Sequence, residues 1–403
     1  MDAEKKLAHK KTDSGGAKDR FWEVRIWNGM TAGPWFRELW RNRCRVGLTR
    51  IPMALTNSFI SLINSGLWAA QSVFLNRKIA RTELQQDPVF VLGHWRSGTT
   101  LLHELLVSDP RHSYPDTYAC FAPNHFIFSR RFFAWWLSLL LPKKRPMDEM
   151  KVGWDSPQED EWALCSMGVP SPYLTLMFPN QPMAYPEYLD LREVPPAALE
   201  RWKSTLKWYL QCLTVQRPGR MVLKTPQHTC RIPVLLDMFP KARFVHILRD
   251  PYVIFPSTMK LWKRMYRYHG MQTPRFEGLE DRVFDVFNHM DRVFEEDRQI
   301  VPPGQFCQIR YEDLVKDPLG QMRRMYSDLE LGDFENVRPG VEAYIARTKD
   351  YKVNRHDLTP ELRDEITRRW RPFIERYGYT APRLDGEDGA SGKTAATASP
   401  AAP

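Results

Sequence analysis

The sequence predicts an α/β protein: a parallel sheet flanked by helices, preceded by an N-terminal helical extension. Three observations predict it. Short apolar strands alternate with helical stretches from Asp87 onward, and such alternation favours parallel strands covered on both faces. The run Val89-Phe90-Val91-Leu92 ends at Gly93 and leads through a short turn into a helical pattern, the strand–loop–helix order that cradles anions. Residues 21–86 carry helical patterns without strands, anchored by Trp22, Trp27, Trp35 and Trp40.

Taken in order, residues 1–20 read as a disordered leader and 21–86 as the helical extension. Within the extension no charged residue falls between Ile51 and Asn76. That stretch is long enough to cross a bilayer. Asn57, Ser58, Ser61, Asn64, Ser65, Gln71 and Ser72 dilute it, so a buried helical hairpin is the better expectation.

The α/β domain is expected over 87–383. After the first strand, residues 99–107 read as a helix with Leu101, Leu102, Leu105 and Leu106 on one face. Met221-Val222-Leu223 is a second strand, followed by a helix over 232–239. Residues 243–248 form a third strand, followed by a helix to about Tyr268. Residues 283–300 are amphipathic, with Phe287, Met290 and Phe294 on one stripe. Residues 306–311 give a fourth strand, with a further helix after Pro318, and a last helix covers 360–376. The tail over 384–403 is rich in Gly, Ala, Ser, Thr and Pro and is expected to be disordered.

The chain's 403 residues are 43% apolar, enough for a sizeable core. A net charge of +10 fits an anionic partner. Neither zinc-finger spacing nor a basic heptad region is present, so no nucleic acid is expected. The six cysteines are scattered, with no CxxC pair, as in reduced cytoplasmic thiols. The polar N-terminus has no signal-peptide pattern. The expected location is cytoplasmic, with peripheral membrane contact left open at two places. One is the uncharged stretch; the other is 128–145, FSRRFFAWWLSLLLPKKR, an aromatic run between basic pairs that is too short to span.

The turn Gly93-His94-Trp95-Arg96-Ser97-Gly98-Thr99-Thr100 carries the chemistry. A helix N-terminus offers unpaired N–H groups and partial positive charge to an anion. The glycine spacing matches a nucleotide triphosphatase loop, but Thr99 stands where that loop needs lysine. The basic residue, Arg96, precedes Gly98 instead. Such a loop suits a doubly anionic group without a bound metal.

Arg96-Ser97-Gly98-Thr99-Thr100 resembles the loop of the sulfotransferase superfamily that uses 3′-phosphoadenosine 5′-phosphosulfate (PAPS). The likeness is to a bacterial branch that is itself similar to the tyrosylprotein sulfotransferases. The resemblance implies a P-loop-like fold, PAPS as co-substrate, no metal, and this loop on the 5′-phosphosulfate. Two further segments carry it. In Phe244-Val245-His246-Ile247-Leu248-Arg249-Asp250-Pro251, with Ser257 eight residues past Arg249, the Arg and Ser would hold the 3′-phosphate. In Val222-Leu223-Lys224-Thr225-Pro226-Gln227-His228, Lys224 would stabilise charge on the bridging oxygen as sulfur departs. The expected function is sulfuryl transfer from PAPS to a hydroxyl or amine of an unidentified acceptor. The alternative is a P-loop nucleotide kinase or triphosphatase, against which stand the missing lysine and the lack of a clear magnesium aspartate.

The base that takes the acceptor's proton is left open. His228 follows the Lys224 strand, and Asp116 lies near where the tyrosylprotein branch carries its glutamate. These two rank first and Glu159 next. Glu159 opens the acidic run Glu159-Asp160-Glu161, which the helix dipole favours without any catalytic role.

Overall fold

The computed structural model describes residues 25–137, 153–348 and 358–383, without the side chains of 131 and 133–137. The leader expected over 1–20, the tail over 384–403 and part of the 128–145 run lie outside the described residues.

In chain order the elements begin with α1 (Ala32–Arg41) and α2 (Ile51–Ala80), then β1 (Val89–Leu92), α3 (Thr99–Leu106), β2 (His112–Ser113), α4 (Thr117–Phe121) and α5 (Phe126–Leu137). Next come α6 (Asp160–Ser166), α7 (Pro196–Gln216), β3 (Arg220–Lys224), α8 (Ile232–Met238), β4 (Arg243–Leu248) and α9 (Pro251–His269). The chain continues with α10 (Leu279–Asp297), β5 (Phe306–Arg310), α11 (Tyr311–Lys316), α12 (Pro318–Asp328), α13 (Arg338–Thr348), α14 (Pro360–Arg369) and α15 (Arg371–Tyr377). Every strand pairing is parallel, as the sequence predicts for an α/β fold.

Internal contacts divide the chain into two units. The first takes the described part of Met1–Pro88 with Arg111–Thr225 and Trp262–Glu277. In it β2 pairs with β3, His112 opposite Arg220 and Ser113 opposite Met221. Helix α2 packs on α1, α5, α7 and the short 3₁₀ turn Ile26–Gly29. Trp27, Trp35 and Trp202 are fully buried there.

The second unit takes Val89–Pro110, Pro226–Leu261 and the described part of Gly278–Pro403. Here β1 pairs with β4 from Val89 opposite Arg243 to Leu92 opposite His246, and β4 pairs with β5 from Phe244 opposite Phe306 to Leu248 opposite Arg310. β1 is buried throughout, which is why it reads as an unbroken apolar run. Because β1 and β4 are parallel, the turn after Leu92 and the residue after Leu248 emerge at the same sheet edge, where open α/β sheets bind ligands.

Three expectations differ from the structure. The stretch expected as a helical hairpin is one continuous helix, α2. Its sole internal glycine, Gly66, costs only about 1 kcal/mol in a helix, and on its buried face Asn64 donates to the Asn28 and Met30 carbonyls and Gln71 to the Asn124 carbonyl. The last helix, expected as one, is two: Pro372 has no N–H to give and breaks it at Trp370, whose ring stacks on Phe287 at 3.9 Å. The 21-residue helix α7 was not foreseen.

Candidate active site

The loop after β1 is shaped by its glycines. Gly93 (φ +145°) gives its N–H to Thr229 Oγ1 at 2.8 Å, and an added Cβ would meet Ser97 Oγ at 2.7 Å and the Ile247 carbonyl at 2.9 Å. Gly98 (φ +106°) opens α3, and any side chain there would run into the Tyr311 ring. Ser97 donates from both backbone N–H (3.1 Å) and hydroxyl (2.7 Å) to the His94 carbonyl, closing the turn. Arg96 sits at φ +69°, a left-handed conformation that a non-glycine residue holds only when its surroundings enforce it. Thr99 and Thr100 begin α3, where the first N–H groups have no partner within the helix. Burial lowers the pKa of His94, within the loop, to about 4, so the ring is neutral at physiological pH.

Arg96 and the Arg249/Ser257 pair meet. Arg96 Nε donates to Ser257 Oγ at 2.8 Å, and Arg249 Nη1 donates to the Arg96 carbonyl at 2.9 Å. The Arg249 guanidinium lies 4.0 Å from the centre of the Tyr311 ring. Tyr311 therefore touches Gly98 on one side and supports Arg249 on another, a cation–π contact that fixes the fork. Two arginines and a serine, 161 residues apart at the extremes, form one cationic patch at the strand ends. Among the described residues Arg96 pairs with a hydroxyl and with no carboxylate.

The first unit holds a different cluster. Lys224, the last residue of β3, is buried and donates from Nζ to Glu159 Oε1 at 2.7 Å. Glu159 Oε2 accepts from the Tyr173 hydroxyl and from Trp162 Nε1 at 3.2 Å. Although Glu159 occupies the N-cap position of α6, its side chain makes no capping bond. It points instead to the lysine. Thr225 Oγ1 donates to Asp160 Oδ1 at 2.8 Å and accepts the Glu161 N–H at 3.2 Å, while Ser171 Oγ donates to Glu161 Oε1 at 2.5 Å. So the acidic run is locked residue by residue to the end of β3.

The other two base candidates have different surroundings. Asp116 caps α4, accepting the Ala119 N–H at 2.8 Å through Oδ1, and its Oδ2 lies 2.6 Å from Arg130 Nη1. Burial raises its pKa despite Arg130. His228 is fully buried in the 3₁₀ turn Pro226–Cys230, edge-on to Phe90 of β1 at 5.3 Å.

Comparison with known proteins gives the chemistry a family. A model of the sulfotransferase family matches residues 88–335. This chain belongs to the sulfotransferase family. Two relatives, from Mycobacterium tuberculosis and Mycobacterium bovis, are both named omega-hydroxy-beta-dihydromenaquinone-9 sulfotransferase Stf3. Each is 46% identical over 362 residues, covering 89% of this chain and 92% of its own length. Among solved structures, the sulfotransferase STF9 from Mycobacterium avium is 18% identical with a TM-score of 0.64, covering 88% of this chain and 98% of its own. The sulfotransferase STF1 from Mycobacterium tuberculosis H37Rv, at 18% identity and a TM-score of 0.59, covers 92% and 96%. These two establish likeness of fold. The chain is a sulfotransferase enzyme, and PAPS is the usual sulfuryl donor of its family. The kinase alternative is not favoured.

In this sulfotransferase, sequence reasoning missed Tyr311, Tyr173 and Trp162. Tyr311 stands in the Arg310-Tyr311-Glu312-Asp313 segment, at the junction of β5 and α11. Its contacts with Gly98 and Arg249 come from residues 213 and 62 positions away, so no local pattern announces them. Tyr173 and Trp162 are ordinary core aromatics in sequence, and only the fold brings their hydrogen bonds to Glu159.

Proposed function

We propose that the patch at the strand ends of the second unit is the donor site. Arg96, Ser97, Gly98, Thr99 and Thr100 hold the 5′-phosphosulfate of PAPS, and Arg249 with Ser257 holds its 3′-phosphate. The observation that carries this reading is the direct Arg96–Ser257 and Arg249–Arg96 contact. On binding, Arg96 and Ser257 exchange their mutual hydrogen bond for phosphate oxygens, a charge-assisted and stronger partner.

Glu159 is the base and Lys224 the cation for the leaving group. Glu159 is held by lysine, tyrosine and indole, and is thereby fixed in direction. Asp116 caps a helix and pairs with Arg130 rather than with Lys224, and His228 packs against Phe90. The acceptor oxygen forms a bond to sulfur while the bond from sulfur to the phosphate's bridging oxygen breaks. The acceptor proton goes to Glu159, and adenosine 3′,5′-bisphosphate leaves.

The acceptor is the hydroxyl of a long-chain quinone lipid. The 46% identity to relatives named for a hydroxylated menaquinone supports this class. The test is transfer of labelled sulfate from PAPS to a hydroxylated menaquinone, a glycan and a phenol in parallel. Product from the quinone alone is the expected result; product from the glycan or phenol alone overturns the acceptor class. Calorimetry with adenosine 3′,5′-bisphosphate tests the donor site separately: no affinity in the wild type, or unchanged affinity in Arg249→Ala, overturns it.

A further inference from the structure

Helix α2 is built inside out. In a helix on a water-soluble protein the apolar stripe faces the core and the polar stripe faces water. Here the middle of the buried stripe is polar, Asn57, Ser61, Asn64 and Gln71, with Met53 and Ile79 buried towards its ends. Their bonds run the length of the helix. Asn28 Nδ2 donates to Asn57 Oδ1 at 2.5 Å, and Asn64 Nδ2 donates to the Asn28 and Met30 carbonyls at 2.6 and 3.0 Å. Trp35 Nε1 donates to Ser58 Oγ at 2.9 Å, and the Ala32 N–H donates to Ser65 Oγ at 2.9 Å. Gln71 Nε2 donates to the Asn124 carbonyl at 3.0 Å while its Oε1 accepts the Phe128 N–H at 3.1 Å.

The opposite stripe is apolar and open. Leu55, Phe59, Leu62 and Val73 stand at i, i+4, i+7 and i+18, on one face of the helix, and are exposed by 66%, 66%, 57% and 79%. Phe74 is exposed beside them and stacks on Phe128 at 6.3 Å, and the exposed Phe132 extends the surface. So large a contiguous apolar face marks an interaction surface. Its charge pattern identifies the partner. No acidic residue lies between Glu38 and Glu83. Exposed cations flank the face at both ends: Arg43 and Arg45 before it, Arg77, Lys78 and Arg81 after it. An apolar stripe between cationic ends complements the acyl boundary and anionic headgroups of a bilayer.

By length and composition, Leu48–Ala80 also qualifies to cross a membrane. The buried polar stripe argues otherwise. A spanning α2 would carry Asn28, Trp35, Asn124 and the rest of its hydrogen-bonded partners into hydrocarbon. We infer that α2 lies in the plane of an anionic bilayer surface, its Leu55–Phe59–Leu62–Val73 face sunk to the acyl boundary and its flanking arginines and lysine on the headgroups. This docking surface goes beyond the transfer reaction and does not depend on the acceptor.

The test is flotation of the full-length protein with vesicles of phosphatidylcholine, or of an equal mixture of phosphatidylcholine and phosphatidylglycerol. The wild type is expected to float with the mixed vesicles and to be released by high salt. The triple variant Leu55→Ser, Phe59→Ser, Val73→Ser is expected to lose about ten-fold or more in partitioning. The triple variant Arg77→Gln, Lys78→Gln, Arg81→Gln is expected to lose the preference for phosphatidylglycerol. Both keep the thermal shift given by adenosine 3′,5′-bisphosphate, which shows that they fold and separates a docking failure from a failure of the donor site. Three results overturn the inference: no flotation of the wild type with either vesicle; release by detergent alone, which means a spanning helix; or a wild-type dimer that the serine variant makes monomeric, which means that a second copy covers the face.

Discussion

The Arg96–Arg249–Ser257 patch and the Glu159–Lys224 cluster solve opposite electrostatic problems. The patch gathers two guanidinium groups at the end of a parallel sheet and keeps Arg96 on a neutral hydroxyl, so its charge is available to an anion. The cluster buries a carboxylate and an ammonium group together at 2.7 Å, each the other's solvent. Burying one without the other would cost several kcal/mol. The difference teaches how the two read in sequence. An anion loop needs special backbone, so glycines and hydroxyls mark it within a few residues. A buried pair needs only mutual reach, and its members stand 65 residues apart with nothing local to announce them.

The comparison can be broken most sharply at Glu159. Glu159→Gln keeps the shape and removes the proposed base; turnover is expected to fall about 10²–10⁴-fold, with affinity for adenosine 3′,5′-bisphosphate nearly unchanged by calorimetry. A variant within a few-fold of wild-type turnover ends the assignment. Because Lys224 then lacks its counter-charge, stability is followed in parallel by thermal unfolding, and the double variant Glu159→Gln, Lys224→Met is expected to recover stability without turnover.

Next is the patch itself. Arg96→Ala removes a charge-assisted bond worth about 1.5–3 kcal/mol, so affinity for adenosine 3′,5′-bisphosphate is expected to drop roughly 10- to 100-fold. An equal drop in Glu159→Gln would erase the distinction between the two regions.

Gly98→Ala tests whether backbone shape carries the loop. The left-handed conformation and the Tyr311 contact together predict a loss of about 1–3 kcal/mol in stability, read from denaturant unfolding, with weaker nucleotide binding. The companion Tyr311→Ala relieves the contact and is expected to restore part of the stability of the alanine variant.

The smallest effect is on pH. His94 titrates near 4 when folded and near 6.5 when unfolded, so the unfolded chain binds the extra proton between these values. Stability from this group is intact above 6.5 and falls as pH drops toward 4, by about 1 kcal/mol between pH 6.5 and 5.5. His94→Gln is expected to flatten that part of the profile. His125, His246 and His269, each likewise lowered by burial, lose stability over the same window, so the slope shrinks rather than vanishes.

How much was legible follows from the range of each interaction. β1, its glycine turn and α3 are contiguous, and the sequence announces them through an apolar run, two glycines and hydroxyls. Arg249 and Ser257 were legible because a strand end and one helix set their spacing. Glu159 looked like a routine acidic helix start, and its side chain turned out to leave the cap for Lys224. Asp116 and His228 looked equally eligible, and one is a helix cap while the other is core. The uncharged stretch of α2 looked like a hairpin because residue counts do not say which face of a helix turns inward.

By itself the sequence determined the α/β class, the glycine turn after β1 and the strand-end spacing of Arg249 and Ser257, since these depend on backbone conformation and neighbours a few residues away. Only the tertiary structure decided that Arg96 meets Ser257, that Glu159 rather than Asp116 or His228 faces the lysine, and that α2 turns its polar side inward. Each of those is a choice of partner between distant segments, made by hydrogen-bond satisfaction and burial of charge, which no local spacing encodes.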